Sequence, residues 1–278
     1  MIHQAKKSMG QNFLKSKEAL SAMCTAGGVI DTDTIVEIGP GKGALTEKLL
    51  EKAYKVIAVE KDRDLIEILN EKFEEDIKNG KLILLNEDIL GFEPEKNGLK
   101  EGKYKIIANI PYNITGSIIR RFLSEVNRPN TMTLLVQKEV AERIVARDGK
   151  ESILSLSVKA FGTPKYIMKV HKRFFSPSPK VDSAIISINN ISGKLFKNKN
   201  EENIFFEVIK AGFAHKRKVL IKNLESLEYM EVGLPYISNK EKIKEKIYKI
   251  FGELDINEKA RAEDINFEKW IKITSYFY

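Results

Sequence analysis

The residues best suited to chemistry form the tetrapeptide Asn109-Ile110-Pro111-Tyr112. The Asn109 side-chain oxygen and the Ile110 carbonyl oxygen can hold the two hydrogens of a planar amine out of its plane. That arrangement localises the nitrogen lone pair and aims it at an electrophile. Pro111 fixes the backbone, and Tyr112 offers a ring for stacking. The tetrapeptide indicates methylation of a planar amine such as adenine N6; a tight turn with a packing tyrosine is the ordinary alternative.

A second candidate site is the glycine-rich segment from Glu37 to Gly43, which reads EIGPGKG. Gly39 and Gly41 let the backbone turn tightly and approach a ligand without interference from a Cβ atom. The helix that follows points its amide end at this turn. The spacing is neither the G-x-G-x-x-G of dinucleotide-binding folds nor that of a phosphate-binding loop. It therefore favours a ligand that is not held by a pyrophosphate.

Acidic residues end or follow the next two strand-like segments. Glu60 ends VIAVE and is placed to accept hydrogen bonds from a ribose diol. Asp88, in NEDIL, has a carboxylate suited to the exocyclic amine of adenine. Adenine and ribose without a required pyrophosphate contact indicate S-adenosylmethionine. Such turns and acids are also ordinary in α/β proteins, but their common register favours the cofactor.

The elements that must position these residues follow from the hydrophobic pattern. The predicted strands are residues 34–38, 55–60, 81–85, 103–109 and 132–137. The predicted helices are residues 43–53, 62–75 and 115–125. Alternation of this kind is typical of parallel strands joined by crossover helices. It predicts a doubly wound, Rossmann-like α/β sheet whose strand ends carry the candidate residues.

The later part of the chain predicts a change of architecture. Two further strands, 166–170 and 184–188, are separated by FFSPSPKVDS and give the sheet a hairpin-like ending with an antiparallel edge strand. The polar stretch after Asn189 is typical of a linker. The sequence thus predicts a basic lead-in, a methyltransferase domain, a linker and a small C-terminal helical domain, over residues 1–28, 29–189, 190–203 and 204–278.

Composition excludes several classes of protein. The 278 residues include 47 Lys and Arg against 39 Asp and Glu, a net charge of +8. Cys24 has no disulfide partner, and one cysteine with three scattered histidines argues against a metal site. No apolar stretch approaches the ~18 residues of a membrane span, and the N-terminus lacks the apolar segment of a secretory signal. We expect a soluble cytoplasmic protein without a metal, and the positive excess suggests an anionic partner such as nucleic acid.

Nine segments carry a resemblance to a known family. They are KSMGQNFL (7–14), VEIGPGKGALT (36–46), VIAVEKD (56–62), EDIL (87–90), ANIPYNITGSII (108–119), VQKEVAERIVA (136–146), FFSPSPKVDSA (174–184), AGFAHKRKVLIKNL (211–224) and KARAEDINFEKW (259–270). Together they resemble the ribosomal RNA adenine dimethyltransferases of the small-subunit (KsgA or RsmA) type. The resemblance covers nearly the whole chain and implies a class I methyltransferase fold with S-adenosylmethionine as cofactor.

The resemblance implies roles for residues around the glycine turn. Asn12 and Leu14 would close over the cofactor, and Gly39 would line its methionine part. Glu60 would bind the ribose and Asp88 the adenine. Asn109 of the tetrapeptide would lie at the junction of cofactor and substrate, and Gly41 of the glycine turn completes the implied cofactor site.

The F-x-P-x-P segment of the family supplies an aromatic ring opposite the N-x-P-Y tyrosine. By motif register that ring is Phe175, so a flipped adenine would lie between Tyr112 and Phe175. Phe174 is adjacent, and the choice between the two phenylalanines depends on register alone. Either ring could instead belong to the core at the edge of the sheet.

The resemblance also gives part of the positive charge a location. Residues 210–222 contain five basic residues and no acid, and the lead-in is basic as well. Such clusters suit an RNA backbone, although a solvated helix face is the usual alternative. The candidate RNA-binding residues are Lys6, Lys7, Lys210, Lys216, Arg217, Lys218 and Lys222.

The implied function is dimethylation of N6 on two adjacent adenosines near the 3′ end of small-subunit (16S) rRNA. The implied partner is the immature 30S particle, bound by a monomer with a role in ribosome assembly. Three alternatives are a large-subunit (23S) adenine methyltransferase that confers macrolide resistance, a mainly non-catalytic assembly factor, and a methyltransferase for proteins or small molecules. The segments 136–146 and 211–224 favour the small-subunit type. Two departures from the family pattern are Ile110 within N-x-P-Y and Lys216-Arg217 where the family has paired arginines.

Overall fold

The structure is a computed structural model that describes residues 5–6, 10–229 and 240–278. The chain divides into two compact units. Unit 1 extends to Glu142 and resumes over Phe161–Ser192. Unit 2 consists of Arg143–Ala160 and Gly193–Tyr278. The candidate residues of the glycine turn and the tetrapeptide all lie in unit 1, and the basic segment 210–222 lies in unit 2.

The strands of unit 1 form a central sheet and a small separate ribbon. They are β1 (Phe13–Leu14), β2 (Thr34–Ile38), β3 (Lys55–Glu60), β4 (Leu82–Asn86), β5 (Lys105–Asn109), β6 (Thr131–Gln137), β7 (Thr163–Val170), β8 (Phe175–Ser176) and β9 (Ser183–Asn189). In the described chain the sheet order is β4-β3-β2-β5-β6-β9-β7. The first five strands in this order, β4, β3, β2, β5 and β6, are mutually parallel. The predicted α/β fold with a mostly parallel sheet is therefore confirmed.

The helices that follow the first strands cover the sheet. They are α1 (Lys17–Ala26), α2 (Ala44–Leu50), α3 (Arg63–Lys72), α4 (Glu74–Lys78) and α5 (Thr115–Ser124), with α6 (Lys138–Ile144) at the division of the units. Met23 of α1 and Leu49 of α2 are fully buried in one core cluster with Val56 of β3. The central strands β2, β3, β5 and β6 are buried along most of their length, as expected for parallel strands that are covered on both faces.

The end of the sheet differs from the prediction in one respect. The two last strands do pair antiparallel, but β9 inserts between β6 and β7. The strand that runs against the sheet is therefore β9, and the edge strand β7 runs in the same direction as β6. The apolar composition of β9, in which six of seven residues are buried, explains why it takes the inner place. The strand β7 instead alternates exposed and half-covered residues, as an edge strand does.

A two-stranded ribbon connects the N-terminal segment to the F-x-P-x-P segment. The strands β1 and β8 pair antiparallel, with Phe13 opposite Ser176 and Leu14 opposite Phe175. The backbone N–H of Lys15 extends the ribbon by donating to the Phe174 carbonyl oxygen at 2.8 Å. This pairing joins two segments that are more than 150 residues apart in sequence.

Unit 2 is helical in its described part. Its helices are α7 (Ile153–Lys159), α8 (Lys199–Gly212), α9 (Leu220–Leu224), α10 (Lys240–Glu253) and α11 (Phe267–Ser275). Trp270 of α11 is fully buried, stacks on Phe213 at a ring distance of 5.6 Å, and donates its indole N–H to the Ala262 carbonyl oxygen. This aromatic pair joins α11 to the end of α8.

The boundaries of the units differ from the predicted domain boundaries. The division falls at Ser192 and Gly193, and α8 begins at Lys199 with its N-terminus capped by the Asn198 side chain. The second half of the predicted linker is therefore the first turn of a helix. Residues 143–160, which were predicted to belong to the sheet domain, belong to unit 2, where the Glu151 N–H donates to the Glu263 carbonyl oxygen at 2.8 Å.

Candidate active site

A cleft of about 680 Å³ lies at the carboxyl ends of β2, β3 and β5 in unit 1. The strand order reverses between β2 and β5, and this switch point is where open α/β sheets bind ligands. The cleft is lined by the glycine turn, by both predicted strand-end acids and by the whole tetrapeptide. The predicted site residues on its wall are Asn12, Leu14, Gly39, Gly41, Glu60, Asp88, Asn109, Ile110, Pro111 and Tyr112.

Two glycines of the turn are required for different reasons. Gly39 has a φ of +64° and its missing Cβ would meet no atom within 4 Å, so its backbone faces open space beside the cleft. Gly41 has a φ of +59°, and a Cβ there would lie 2.9 Å from the Phe13 ring. Only glycine adopts this backbone readily. The turn therefore leaves room for a ligand at Gly39 and for the N-terminal segment at Gly41.

The carboxylate of Glu60 is buried and held by backbone donors. Oε2 accepts from the Gly41 N–H at 3.2 Å, and Oε1 accepts from the Asp62 N–H at 2.9 Å. Burial raises the pKa of Glu60, and these backbone hydrogen bonds oppose the shift. Glu60 thus fixes the glycine turn to the end of β3 and presents a rigid acceptor to the cleft.

Asp88 lies in a more open environment. Its Oδ2 pairs with the Lys61 ammonium at 2.8 Å and its Oδ1 accepts from the Leu90 N–H at 3.0 Å. Lys61, and next the Leu90 N–H, lower the pKa of Asp88. The carboxylate is therefore ionised at neutral pH and can accept a hydrogen bond from a ligand amine.

Glu37 is a cleft residue that the sequence analysis did not assign. It is 1% exposed and lines the cleft, and its Oε2 has no hydrogen-bond partner in the described structure. Burial raises the pKa of Glu37 to about 8. An acid inside the otherwise apolar strand TIVEI was the signal in the sequence, because a buried carboxyl group needs a partner.

The asparagines of two segments meet at the cleft. Asn109 donates its Nδ2 to the Asn12 carbonyl oxygen at 3.1 Å, and Asn12 donates its own Nδ2 to the Gly10 carbonyl oxygen. The first of these bonds fixes the Asn109 amide, and no described residue donates to its Oδ1. The acceptor oxygen is thereby left for a ligand, as the chemistry of the tetrapeptide requires.

Tyr112 is held by a residue that the sequence analysis did not single out. Its hydroxyl and the Ser183 hydroxyl lie 2.6 Å apart, and Ser183 is 0% exposed at the start of β9. Burial raises the pKa of Tyr112, so the phenol is neutral. The contact joins residues 71 positions apart, so no local sequence pattern predicts it.

The structure does not bring Phe175 to the cleft wall. Its ring is 4% exposed and belongs to the core cluster that contains Leu14. Its neighbour Ser176 lines the cleft instead. Phe174 is half-buried, with the Arg173 guanidinium 5.0 Å from its ring centroid. The expectation that Phe175 faces Tyr112 is therefore not met, because the pairing of β1 with β8 turns this ring into the core.

The N-terminal lysines are placed in part. Lys6 pairs with Asp62 at 2.6 Å and with Asp64 at 2.7 Å, and these carboxylates raise its pKa. Gln11 donates to the second oxygen of Asp62 at 2.8 Å. Lys6 thus ties the lead-in to the start of α3 rather than standing open to a partner. Lys7 lies outside the described residues.

The basic segment of unit 2 is an exposed turn between two helices. Lys216, Arg217 and Lys218 are all exposed. The turn is fixed by the buried Asn223, which donates to the Gly212 carbonyl oxygen at 2.6 Å and to that of His215 at 3.2 Å. The two flanking lysines, Lys210 and Lys222, pair with Glu207 and Glu225 on their own helices.

The described part of the chain holds neither a metal-binding cluster nor a membrane-spanning helix. It contains no group of three or more His, Cys, Asp or Glu side chains that could hold a metal ion. None of its helices combines the length and the apolar character needed to cross a membrane.

Comparisons with known proteins identify the family of the chain. Residues 2–276 match the sequence model of the family described as ribosomal RNA adenine dimethylase. A ribosomal RNA small subunit methyltransferase A from Fusobacterium nucleatum is 40% identical over 279 residues, which cover 100% of this chain and 99% of that protein.

Two solved structures resemble the whole chain. A dimethyladenosine transferase from Plasmodium falciparum is similar with a TM-score of 0.76 and 25% identity, over 95% of this chain and 97% of that one. The 23S rRNA methyltransferase ErmE gives the same TM-score at 22% identity, over 95% of this chain and 99% of that one, which establishes a common fold alone.

Proposed function

Because this chain belongs to the ribosomal RNA adenine dimethylase family, we propose that it dimethylates N6 of two adjacent adenosines near the 3′ end of small-subunit rRNA. The chain is an S-adenosylmethionine-dependent rRNA adenine dimethyltransferase. The choice of the small subunit is supported by the name of the Fusobacterium nucleatum relative, which matches this chain over its full length. The proposed partner is the immature 30S particle, bound by a monomer whose activity accompanies ribosome assembly.

The cleft fits S-adenosylmethionine on two counts. Gly39 leaves open space where any other residue would place a side chain. The Glu37 Oε2 is buried without a hydrogen-bond partner, and the ammonium or sulfonium group of this cofactor would favour the ionised form of the carboxyl group. We assign the ribose to Glu60, the adenine to Asp88 and the methionine part to Gly39 and Gly41, with Asn12 and Leu14 covering the cofactor.

The observation that carries the proposal is the fixed amide of Asn109 next to Tyr112. When bound, the cofactor supplies a methyl group on a sulfonium centre. The Asn109 Oδ1 and the Ile110 carbonyl oxygen would accept the two N6 hydrogens of the target adenine and expose its lone pair. Pro111 holds the turn, and the Tyr112 ring would stack on the flipped base. Catalysis of this kind acts through orientation and fixed dipoles rather than through a general base.

A second aromatic ring would cover the face of the base opposite Tyr112. Phe175 was the predicted second ring, but it would have to leave the core to reach the base. Phe174 is half-buried and adjacent. Comparing Phe174→Leu with Phe175→Leu for methyl transfer would show which ring contacts the base.

Methylation of 30S particles from cells that lack this gene tests the proposal. With labelled S-adenosylmethionine and the purified full chain, we expect label in two adjacent adenosines near the 3′ end, mapped by primer extension or mass spectrometry. Unlabelled 30S particles, with a folded and cofactor-bound protein, would overturn the proposal. Label in large-subunit rRNA instead would reassign the substrate to the sister group.

The assembly role needs a separate test. The variant Asn109→Ala removes the amide that orients the acceptor and leaves the basic surfaces intact. We expect the Asn109→Ala protein to bind 30S particles and to leave their rRNA unmethylated. If it also restores normal ribosome maturation in cells that lack the gene, binding rather than methylation is the important function.

A further inference from the structure

The chain has a second strongly basic segment, in unit 1. Residues 163–181 contain five Lys and Arg side chains and no Asp or Glu. The five are Lys165, Lys169, Lys172, Arg173 and Lys180. All five are exposed. Their number equals that of the basic segment 210–222, and none of them has been given a role so far.

The first two of these cations lie on one face of the edge strand. Exposure alternates along β7, so Lys165, Ile167 and Lys169 are exposed while the residues between them are partly covered. At about 3.3 Å per residue, Lys165 and Lys169 lie ~13 Å apart along the strand. Because β7 has no further strand on its outer side within the described chain, this row of charges borders solvent.

The strand β7 runs toward the edge of the sheet at which the active-site cleft lies, so its row of lysines runs toward this edge as well. The strand β7 is antiparallel to β9, and β9 is antiparallel to β6. The carboxyl end of β7, at Val170, therefore lies at the same edge as the ends of β5 and β6. Lys165 is at the far edge, Lys169 is nearer, and the loop 171–180 follows at the cleft edge.

The loop that continues the row is held by hydrogen bonds and reaches the cleft at Ser176. The Ser178 hydroxyl donates to the Lys172 carbonyl oxygen at 3.0 Å, and the Lys172 N–H donates to Asp182. The ribbon of β1 and β8 then brings Lys15 beside this loop, and both Lys15 and Ser176 line the cleft. Ser176 thus places this loop at the edge of the cleft, and Ser183, the partner of Tyr112, follows the loop in sequence.

Most of these charges have no acidic partner in the described structure, although the Lys172 ammonium donates to the Lys180 carbonyl oxygen at 3.4 Å. Lys169 pairs with Asp182 at 2.8 Å. Within the described residues, Lys165, Lys172, Arg173 and Lys180 form no ion pair. Arg173 lies over the half-buried Phe174 ring, which combines a cation with an aromatic surface as single-stranded nucleic-acid sites do.

We propose that β7 and the loop 171–180 form a phosphate-binding track that guides the substrate RNA strand to the active-site cleft. The track is defined as Lys165, Lys172, Arg173 and Lys180. It rests on the proposed function, because the rRNA substrate is a polyanion that a row of cations without ion pairs at the cleft edge would bind. Phosphate contacts of this kind position the strand without reading its sequence.

The test compares two variants of equal charge. The track variant carries Lys165→Gln, Arg173→Gln and Lys180→Gln. The control variant carries Lys52→Gln, Lys100→Gln and Lys103→Gln, which are also exposed and which lie at the opposite edge of the sheet, before β3 and β5. Both variants lose three positive charges, so any effect of net charge alone is the same in the two proteins.

The measurement is the affinity of each full chain for 30S particles from cells lacking the gene, over a series of KCl concentrations. We expect the track variant to bind at least tenfold more weakly than the control variant at about 0.1 M salt. The slope of log K against log salt is negative, and each lost phosphate contact reduces its magnitude by about 0.7–0.9. For three lost contacts we expect a reduction of about 2–3. Titration with S-adenosylmethionine should give the same affinity for all three proteins.

The outcomes separate the track from the proposed function. If the wild type methylates 30S particles and both variants bind alike, the track is refuted and the proposed function stands. If the wild type neither binds nor methylates these particles, the proposed function fails and the track fails with it. If the wild type methylates large-subunit rRNA instead, the affinities of the track and control variants for that RNA test the track, although the proposed substrate is then wrong.

Discussion

At the scale of single residues, the orientation of Tyr112 depends on the buried hydroxyl of Ser183. Removing one partner of such a buried hydrogen bond costs about 1–3 kcal/mol. We expect Ser183→Ala to lower kcat/KM for rRNA about tenfold, because the Tyr112 ring is then free to leave the stacking position. Affinity for S-adenosylmethionine should be unchanged.

The matched variant for this prediction is Tyr112→Phe, which keeps the ring and removes the hydroxyl. If the hydrogen bond is the cause, both single variants and the double variant should lose a similar factor, because the same interaction is removed each time. Losses that multiply in the double variant would show that Ser183 acts in another way.

Glu37 predicts a pH dependence of stability. Its pKa is about 8 in the folded protein and about 4.3 in an unfolded chain. Between these values the folded state binds a proton that the unfolded state has lost, so this contribution to stability is largest below about pH 4 and falls as the pH rises to 8. We expect Glu37→Gln, which cannot titrate, to gain stability relative to the wild type over this range.

The check is thermal unfolding of both proteins from pH 5 to 9 without the cofactor. The difference in Tm should grow with pH and level off above about 8. Parallel curves would contradict it. Cofactor binding should show the opposite trend, because a cationic ligand favours the ionised form of Glu37; the affinity of the wild type should rise with pH while that of Glu37→Gln stays constant.

At the scale of elements, the glycine turn and the strand β1 fit each other through Gly41. A Cβ at this position would strain a backbone with a φ of +59° and would contact the Phe13 ring. The left-handed backbone alone costs about 1–2 kcal/mol. We expect Gly41→Ala to lower the affinity for S-adenosylmethionine about tenfold, because displacement of Phe13 moves the segment that covers the cleft. Titration calorimetry measures this affinity.

Gly80→Ala is the control for this substitution. Gly80 has a φ of +71° and its Cβ would meet no atom within 4 Å. It therefore carries the same backbone cost without any displaced ring. We expect it to lower the free energy of unfolding and to bind the cofactor normally. Equal cofactor affinity in both variants would mean that Phe13 is not part of the cover.

Elements were predictable from sequence where their signal is local. The parallel strands and the placement of Glu60, Asp88 and Asn109 at their ends follow from hydrophobic runs and turn residues. The order of β9 and β7, the burial of Phe175 and the contact of Ser183 with Tyr112 depend on pairing between distant segments. Residues 143–160 likewise belong to unit 2 through contacts with residues more than 100 positions away, which no local pattern encodes.

At the scale of the whole molecule, the net charge of +8 is distributed over both units. Each holds a basic segment without acids, residues 163–181 in unit 1 and 210–222 in unit 2. In unit 1 the segment borders the cleft, and in unit 2 it is a turn fixed by a buried asparagine. Two separate phosphate-binding segments suit a large structured RNA better than a short or small-molecule substrate.

A single tryptophan allows the unfolding of unit 2 to be followed separately from that of unit 1. Trp270 is the only tryptophan of the chain and lies in unit 2, so its fluorescence reports this unit alone. A Cβ at Gly212 would overlap the Trp270 ring and lie 3.0 Å from Leu220. Overpacking of this kind costs about 1–3 kcal/mol. In Gly212→Ala the fluorescence transition should therefore move to lower urea, while S-adenosylmethionine binding by unit 1 persists at urea concentrations above that transition. Gly252→Ala, in α10 with no atom within 4 Å of the new Cβ, should leave the transition unchanged or raise it, since alanine favours helix. Loss of cofactor binding together with the fluorescence change in Gly212→Ala would show instead that the two units unfold as one.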